Sequence, residues 1–219
     1  MPRSAPMPPA RPRVTREDWL AAAREVLVSH GVAEVKVLTL GRTLGVSRSS
    51  FYWYFENRED LLAQLLDDWD ARNTATLLKT CAAPSATISD AVCAFFRCFI
   101  DPALFDQGLD FAVREWARRD AALRVRLDAA DAARIAGVTK MFARHGYPAG
   151  EADARARILY FMQLGYNALD IREPLEARLD RLEAYLLGFT GQSPDPAAMA
   201  AFRAFAEQAL GPPNDAARG

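Results

Sequence analysis

Residues Gly45-Val46-Ser47-Arg48-Ser49-Ser50-Phe51-Tyr52-Trp53-Tyr54-Phe55 run directly into Glu56-Asn57-Arg58-Glu59-Asp60-Leu61, and this stretch decides the fold. Gly45 reads as a left-handed turn residue and Ser47 as the N-cap of a short helix. Small polar residues at one end of that helix and consecutive aromatics at the other are unusual for a core helix. They suit a helix that enters a DNA groove and rests on the backbone. Phe51 and Phe55, four apart, point back into a small core, and Asn57 opens the next helix.

Working outward, Thr15 to His30 predicts a first helix, capped by Thr15 with Asp18 three residues on and ended by Gly31. Val32 to Leu40 is ambiguous, because Val35 and Val37 alternate with polar residues as in a strand. Its second half, Val37 to Leu44, reads as a short helix, with Leu40 and Leu44 four apart and Gly41 small enough for a close crossing. The third helix is expected over Ser47–Tyr54. From Asn57 a helix carries Leu61, Leu62, Leu65, Leu66 and Trp69 on one face. Pro84–Ser85 marks a break. The remainder predicts helices near 86–105, 108–119, 121–145, 151–169, 175–190 and 196–210, separated by proline and glycine breaks. The expected class is all-α. A three-helix domain over 14–73, with its helix-turn-helix near 36–55, is followed by a larger helical domain over 74–219.

The formal charge of the 219-residue chain is −1. Residues 1–58 hold nine Arg or Lys against five acids, leaving that stretch at +4 and the rest at −5. A basic head on an acidic body fits an anionic partner at one end. The first 13 residues, with five prolines and three arginines, read as a disordered basic arm; Arg11 and Arg13 suit either a groove or solvent. No apolar run is long enough for a membrane span. Cys81, Cys93 and Cys98 lack CxxC spacing and read as buried thiols of a reducing cytoplasm, with redox sensing as the rival. His30 and His145 each precede a glycine and suit helix C-termini. Neither a metal or cofactor site nor a catalytic set is expected.

In register, Leu40-Gly41, Gly45-Val46-Ser47, Phe51-Tyr52-Trp53-Tyr54-Phe55 and Arg58-Glu59-Asp60-Leu61 resemble the DNA-binding domain of the TetR family of bacterial transcriptional repressors. The resemblance covers about residues 13–73; beyond it the chain is similar only in being helical and of suitable length. Gly41 stands where the family favours alanine and Leu38 where it favours a polar residue. The resemblance implies a non-enzymatic repressor of a palindromic operator, released when a small, largely apolar ligand binds the C-terminal domain.

Expected DNA contacts are Lys36 and Thr39 at the start of one helix, then Ser47, Arg48, Ser49 and Ser50, then Tyr52 and Trp53. Family position adds Tyr54 as a backbone contact, with packing on the following helix as the alternative. Arg58 lies in a first helical turn against the macrodipole, a cost that bound phosphate would reverse. Candidate ligand-pocket walls are Phe96, Phe99, Phe111, Trp116 and Met141, with Tyr160, Met162, Gln163 and Asn167 completing them; each also fits plain core. Helices 151–169 and 175–190, apolar on more than one side, suit a homodimer interface. The competing readings are an all-helical enzyme, and a DNA-binding regulator without a ligand that answers to a partner protein or to thiol oxidation.

Overall fold

The computed structural model describes residues 14–169, 171 and 173–210, so the basic arm expected over 1–13 lies outside the described residues. Those residues form helices α1 (Arg16–His30), α2 (Val37–Leu44), α3 (Arg48–Phe51), α4 (Arg58–Trp69), α5 (Thr76–Ala82) and α6 (Ile88–Ile100). They continue with α7 (Gln107–Ala117), α8 (Ala121–Arg144), α9 (Ala149–Ala168), α10 (Leu175–Asp180), α11 (Leu182–Thr190) and α12 (Pro196–Leu210). A 3-10 turn covers Val32–Glu34 and a π-helical segment covers Asp70–Ala75. The ambiguous stretch before α2 is therefore a 3-10 turn, not a strand. One expected helix over 175–190 is two, divided by a turn at Arg181 (φ −89°, ψ −3°), whose guanidinium reaches back to Glu173 and to the Ala177 carbonyl.

The chain divides into two compact units, one through Leu65 and one from Leu66 onward. In the first, Thr15 caps α1 reciprocally with Asp18, and these bonds from Thr15 hold the Asp18 carboxyl below its usual range. Trp19, Leu27, Leu40, Phe51, Phe55 and Leu61 fill the core. Trp19 meets Phe51 edge-on at 5.2 Å and Phe51 stacks on Phe55 at 5.1 Å, geometries that add to plain area burial.

In the second unit α8 packs on α9, α12 on α6, and α5 on both α8 and α6. Phe95, Phe99, Phe105, Phe142, Leu159 and Leu186 are central to its core. Residues 66–73, assigned by sequence to the head, belong here. Leu66 and Trp69 are buried within it, and the π segment turns Asn73 and Thr74 inward. Asn73 exchanges two hydrogen bonds with the Asp106 backbone.

A buried ion network organises this unit. The Asp110 carboxylate accepts from Trp69 Nε1 at 2.9 Å, Arg134 Nη1 at 2.9 Å and Arg114 Nε at 2.8 Å. Arg114 makes a two-pronged pair with Asp131, at 2.8 and 2.6 Å, and Tyr160 donates its phenol to Asp131 at 2.6 Å. Arg134 is 0% exposed, gives Nε to Thr74 and lies over the rings of Trp69 and Phe105. Burial alone would push the Asp110 carboxyl up; Arg134, Arg114 and the Trp69 N–H outweigh it and hold it below its usual range. Two guanidiniums face two carboxylates, so the buried charge closes on itself.

Removing one partner of such a network strands the other in a low-dielectric interior. Asp110→Asn is expected to cost about 3–5 kcal/mol in urea unfolding. An Asp110→Leu, Arg134→Met double replacement should cost less than that single change. The depressed pKa also fixes the pH course. The contribution of Asp110 is complete above its unfolded value, about pH 4, and is lost as the pH falls through the lower folded value. The wild-type and Asp110→Asn stability curves should therefore converge below about pH 4.

Candidate nucleic-acid interface

The turn into α3 is built as its residue types require. Gly45 ends α2 at φ 67°, ψ 29°, and Gly45 and Val46 donate back to the α2 carbonyls of Arg42 and Gly41. Gly41 is buried where α2 crosses α1; a Cβ there would stand 3.6 Å from Trp19 and 3.3 Å from the Val46 carbonyl. An added methyl would press on the Val46 carbonyl, which would have to give by a few tenths of an ångström.

Helix α3 is shorter than the expected Ser47–Tyr54. Only Arg48–Phe51 is α-helical, and Tyr52 (φ −71°, ψ −2°) starts a turn. Tyr54 and Phe55 both donate to the Phe51 carbonyl, which aims Phe55 back beneath Phe51. Ser47 has the extended N-cap backbone, but its hydroxyl makes no cap bond. It lies 2.8 Å from the Ser49 hydroxyl instead, and Ser50 Oγ donates to the Ser47 carbonyl.

The remaining expected contacts fall into two groups. Lys36, Thr39, Ser47, Arg48, Ser49, Tyr52 and Trp53 are exposed, and Ser50 is half-buried. Tyr52 is 49% and Trp53 66% exposed, a large apolar area to present to water. Arg48 donates to the Tyr52 hydroxyl at 2.8 Å, which leaves the phenolic proton to point outward. Lys36 pairs with Glu34 at 3.0 Å. From Lys36 to Phe55 the chain holds three cations and no acid, so this edge carries positive charge beside hydroxyl and indole donors.

Tyr54 and Arg58 form the second group, and both turn inward. The half-buried Tyr54 donates its hydroxyl to the Val14 carbonyl at 2.9 Å, bracing the turn after α3 against the approach to α1. Arg58, expected as a phosphate clamp, is bonded to backbone carbonyls of its own unit. Its Nε donates to the Val35 carbonyl at 2.7 Å and its Nη2 to the Val32 carbonyl at 2.6 Å, and Nη1 lies 3.6 Å from Glu59. A cation is placed against the α4 dipole because it ties the 3-10 turn and the entry to α2 onto the start of α4. Those carbonyls become available only once Val32–Glu34 coils, and nothing in the local sequence announces that.

The candidate pocket residues also divide. Phe96, Met162 and Gln163 line a cleft in the second unit with about 540 Å3 of empty space, mouth included. Its other walls include Ile100 and Phe202, and Leu175, Arg178, Leu182 and Tyr185 of α10–α11, a stretch that sequence reading assigns to the dimer contact alone. Phe111 and Asn167 line a second, polar hollow beside Asp110, Arg114 and Asp131. Phe99, Met141 and Tyr160 are buried in the core, and Trp116 donates its indole N–H to Asp120 at 3.2 Å. All three cysteines are buried, and burial pushes Cys81 and Cys93 each up to about 12. Among the described residues no His, Cys, Asp and Glu group could hold a metal, and no helix is long and apolar enough to cross a membrane.

Residues 20–65 match the family model of the bacterial regulatory proteins of the tetR family. Mycobacterium smegmatis AmtR is a similar solved structure: 19% identical, TM-score 0.58, with 93% of this chain and 98% of that chain covered. At this identity the likeness is one of fold. A possible TetR family transcriptional regulator from Streptomyces coelicolor A3(2) is also 19% identical, covering 90% of this chain and 97% of that one at a TM-score of 0.39. BioQ with its double-stranded DNA operator is 18% identical, covering 82% and 100% at 0.42. Neither of these two superpositions is close enough to carry a structural argument.

The division between outward and inward residues gives a stability test. Arg58→Ala removes the donors of two carbonyls and should cost about 1–3 kcal/mol. Arg48→Ala, on the exposed side, should stay within about 0.5 kcal/mol of wild type. Thermal melting of both variants checks this; equal losses would contradict it.

Proposed function

Because the chain is a DNA-binding transcriptional regulator of the TetR family, we propose that it represses from a palindromic operator as a homodimer and is released by a small, largely apolar ligand. The observation that carries the DNA reading is the exposed, acid-free edge from Lys36 to Trp53. Arg48, Ser49 and Ser50 supply donors for base edges and phosphates. Tyr52 and Trp53 supply O–H and N–H donors for phosphate and apolar faces for sugars or methyl groups. Tyr54 and Arg58 act as braces that hold this edge in shape. As a regulator the chain works in the cytoplasm, where DNA is.

Dimerisation is supported by an apolar stripe that the fold leaves uncovered. On α9, Ile158 and Phe161 are 58% and 51% exposed, and Leu187 on α11 is 49% exposed. Gly165 on α9 and Ala184 and Gly188 on α11 are small, which allows helices of a second copy to approach closely. Two copies related by a two-fold axis would present two α3 edges to half-sites separated by whole helical turns of DNA.

A ligand acts only if it binds the conformation that releases DNA better than the one that holds it. The apolar cleft between α6, α9, α10, α11 and α12 supplies a site for such a ligand. Regulation by thiol oxidation is disfavoured, because a buried thiol whose pKa is raised has little reactive thiolate at neutral pH.

Two measurements test these readings. Fluorescence anisotropy against the DNA directly upstream of the chain's own coding sequence should show tighter binding than to random DNA. Arg48→Ala should weaken both and lower the salt slope by about 1; binding of own and random DNA with equal affinity would overturn the operator reading. In sedimentation, the wild type should be a dimer at micromolar concentration and Phe161→Glu a monomer. A wild-type monomer would overturn the dimer.

A further inference from the structure

Resting on the ligand-responsive reading above, we infer that the cleft of the second unit takes an organic carboxylate: an apolar body with a single anionic head that pairs with Arg178. Most of the lining is apolar, with Phe96, Ile100, Met162, Leu182 and Phe202 contributing carbon surface. The polar groups of the wall are already paired with one another. Gln163 donates to Asn167 at 3.1 Å. Tyr166 donates its proton to Glu173 at 2.8 Å. The 3.3 Å contact between the Tyr166 and Tyr185 hydroxyls therefore has Tyr185 as donor. Glu173 itself is met by Arg181, with Nη2 at 2.7 Å from Oε1, so its charge is balanced before any ligand arrives.

Arg178 is different. It lines the cleft with its guanidinium 5.4 Å from the centre of the Tyr166 ring. Among the described residues no carboxylate pairs with it. A guanidinium cannot lose its proton at any relevant pH, and its planar fork matches a carboxylate with two parallel bonds. Beside carbon-rich walls the attraction is screened less than in water. Among the described residues the site is thus an apolar slot with one unmatched positive charge and no unmatched negative one. It should discriminate ligands of equal length by the charge of their heads.

Isothermal titration of the full chain with octanoate, 1-octanol and octylammonium reads this out. Octanoate is expected to bind about tenfold tighter than 1-octanol, the fold-change of one good charge-assisted pair, and octylammonium more weakly than either. Arg178→Gln should bring octanoate down to the level of 1-octanol while leaving 1-octanol unchanged, and Arg178→Lys should keep part of the preference. Leu182→Trp, which fills the cleft, should abolish binding of all three. Equal affinity for octanoate and 1-octanol, or a preference that survives Arg178→Gln, overturns the carboxylate inference while the ligand reading stands. No binding of any of the three, or octanoate binding that survives Leu182→Trp, overturns the cleft as a ligand site and the inference with it.

Discussion

A helix of four residues cannot hold its own shape in water, because nucleation costs more than one turn of hydrogen bonds returns. That constraint governs the first unit. Helix α3 exists because Phe51 is buried against Trp19 and Phe55 stacks on Phe51. The turn beyond it is held because Tyr54 reaches the Val14 carbonyl and Arg58 reaches those of Val32 and Val35. Apolar burial and bonds to backbone carbonyls fix the inner side, while Arg48, Ser49, Tyr52 and Trp53 stay exposed on the outer one. An edge supported from behind keeps its geometry before a partner arrives, which lowers the ordering cost of binding.

The second unit solves a different problem. It buries Asp110 and Arg134 and half-buries Arg114 and Asp131 beside them, and it draws in the end of α4 and the π segment through Trp69 and Thr74. Such a network favours one arrangement of several helices, because each charge needs its partner at hydrogen-bond distance. The cleft stands in contrast, with apolar walls and a cation, Arg178, that no carboxylate among the described residues meets.

Much of this was legible along the chain. The Thr15–Asp18 cap, the Gly45 turn, the inward Phe51 and Phe55, and the long stripe from Leu61 to Trp69 follow from local rules that the fold obeys. What escaped reading depended on distant partners. Arg58 reads as a misplaced cation until the Val32 and Val35 carbonyls are brought to it, and Tyr54 reads equally as a DNA-backbone contact or as packing on the next helix until the Val14 carbonyl meets its hydroxyl. Arg134 did carry a signal: it stands in line with Leu127, Ala130, Val138 and Met141 on the apolar face of α8. A charged residue at a core position asks for a buried counter-charge, and Asp110, four residues before Arg114, supplies it. The split between α10 and α11 had no local signal; it falls at Arg181, whose guanidinium turns back onto Glu173.

The central claim is that the outward edge from Lys36 to Trp53 meets DNA while the inner braces only hold it. Amide hydrogen exchange of the full chain, alone and with the DNA upstream of its own coding sequence, measures this most directly. The account predicts new protection concentrated in residues 36–53, with little change in the unit from Leu66 onward beyond any dimer contact. Exchange in residues 36–53 left unchanged by DNA that the chain demonstrably binds would contradict it.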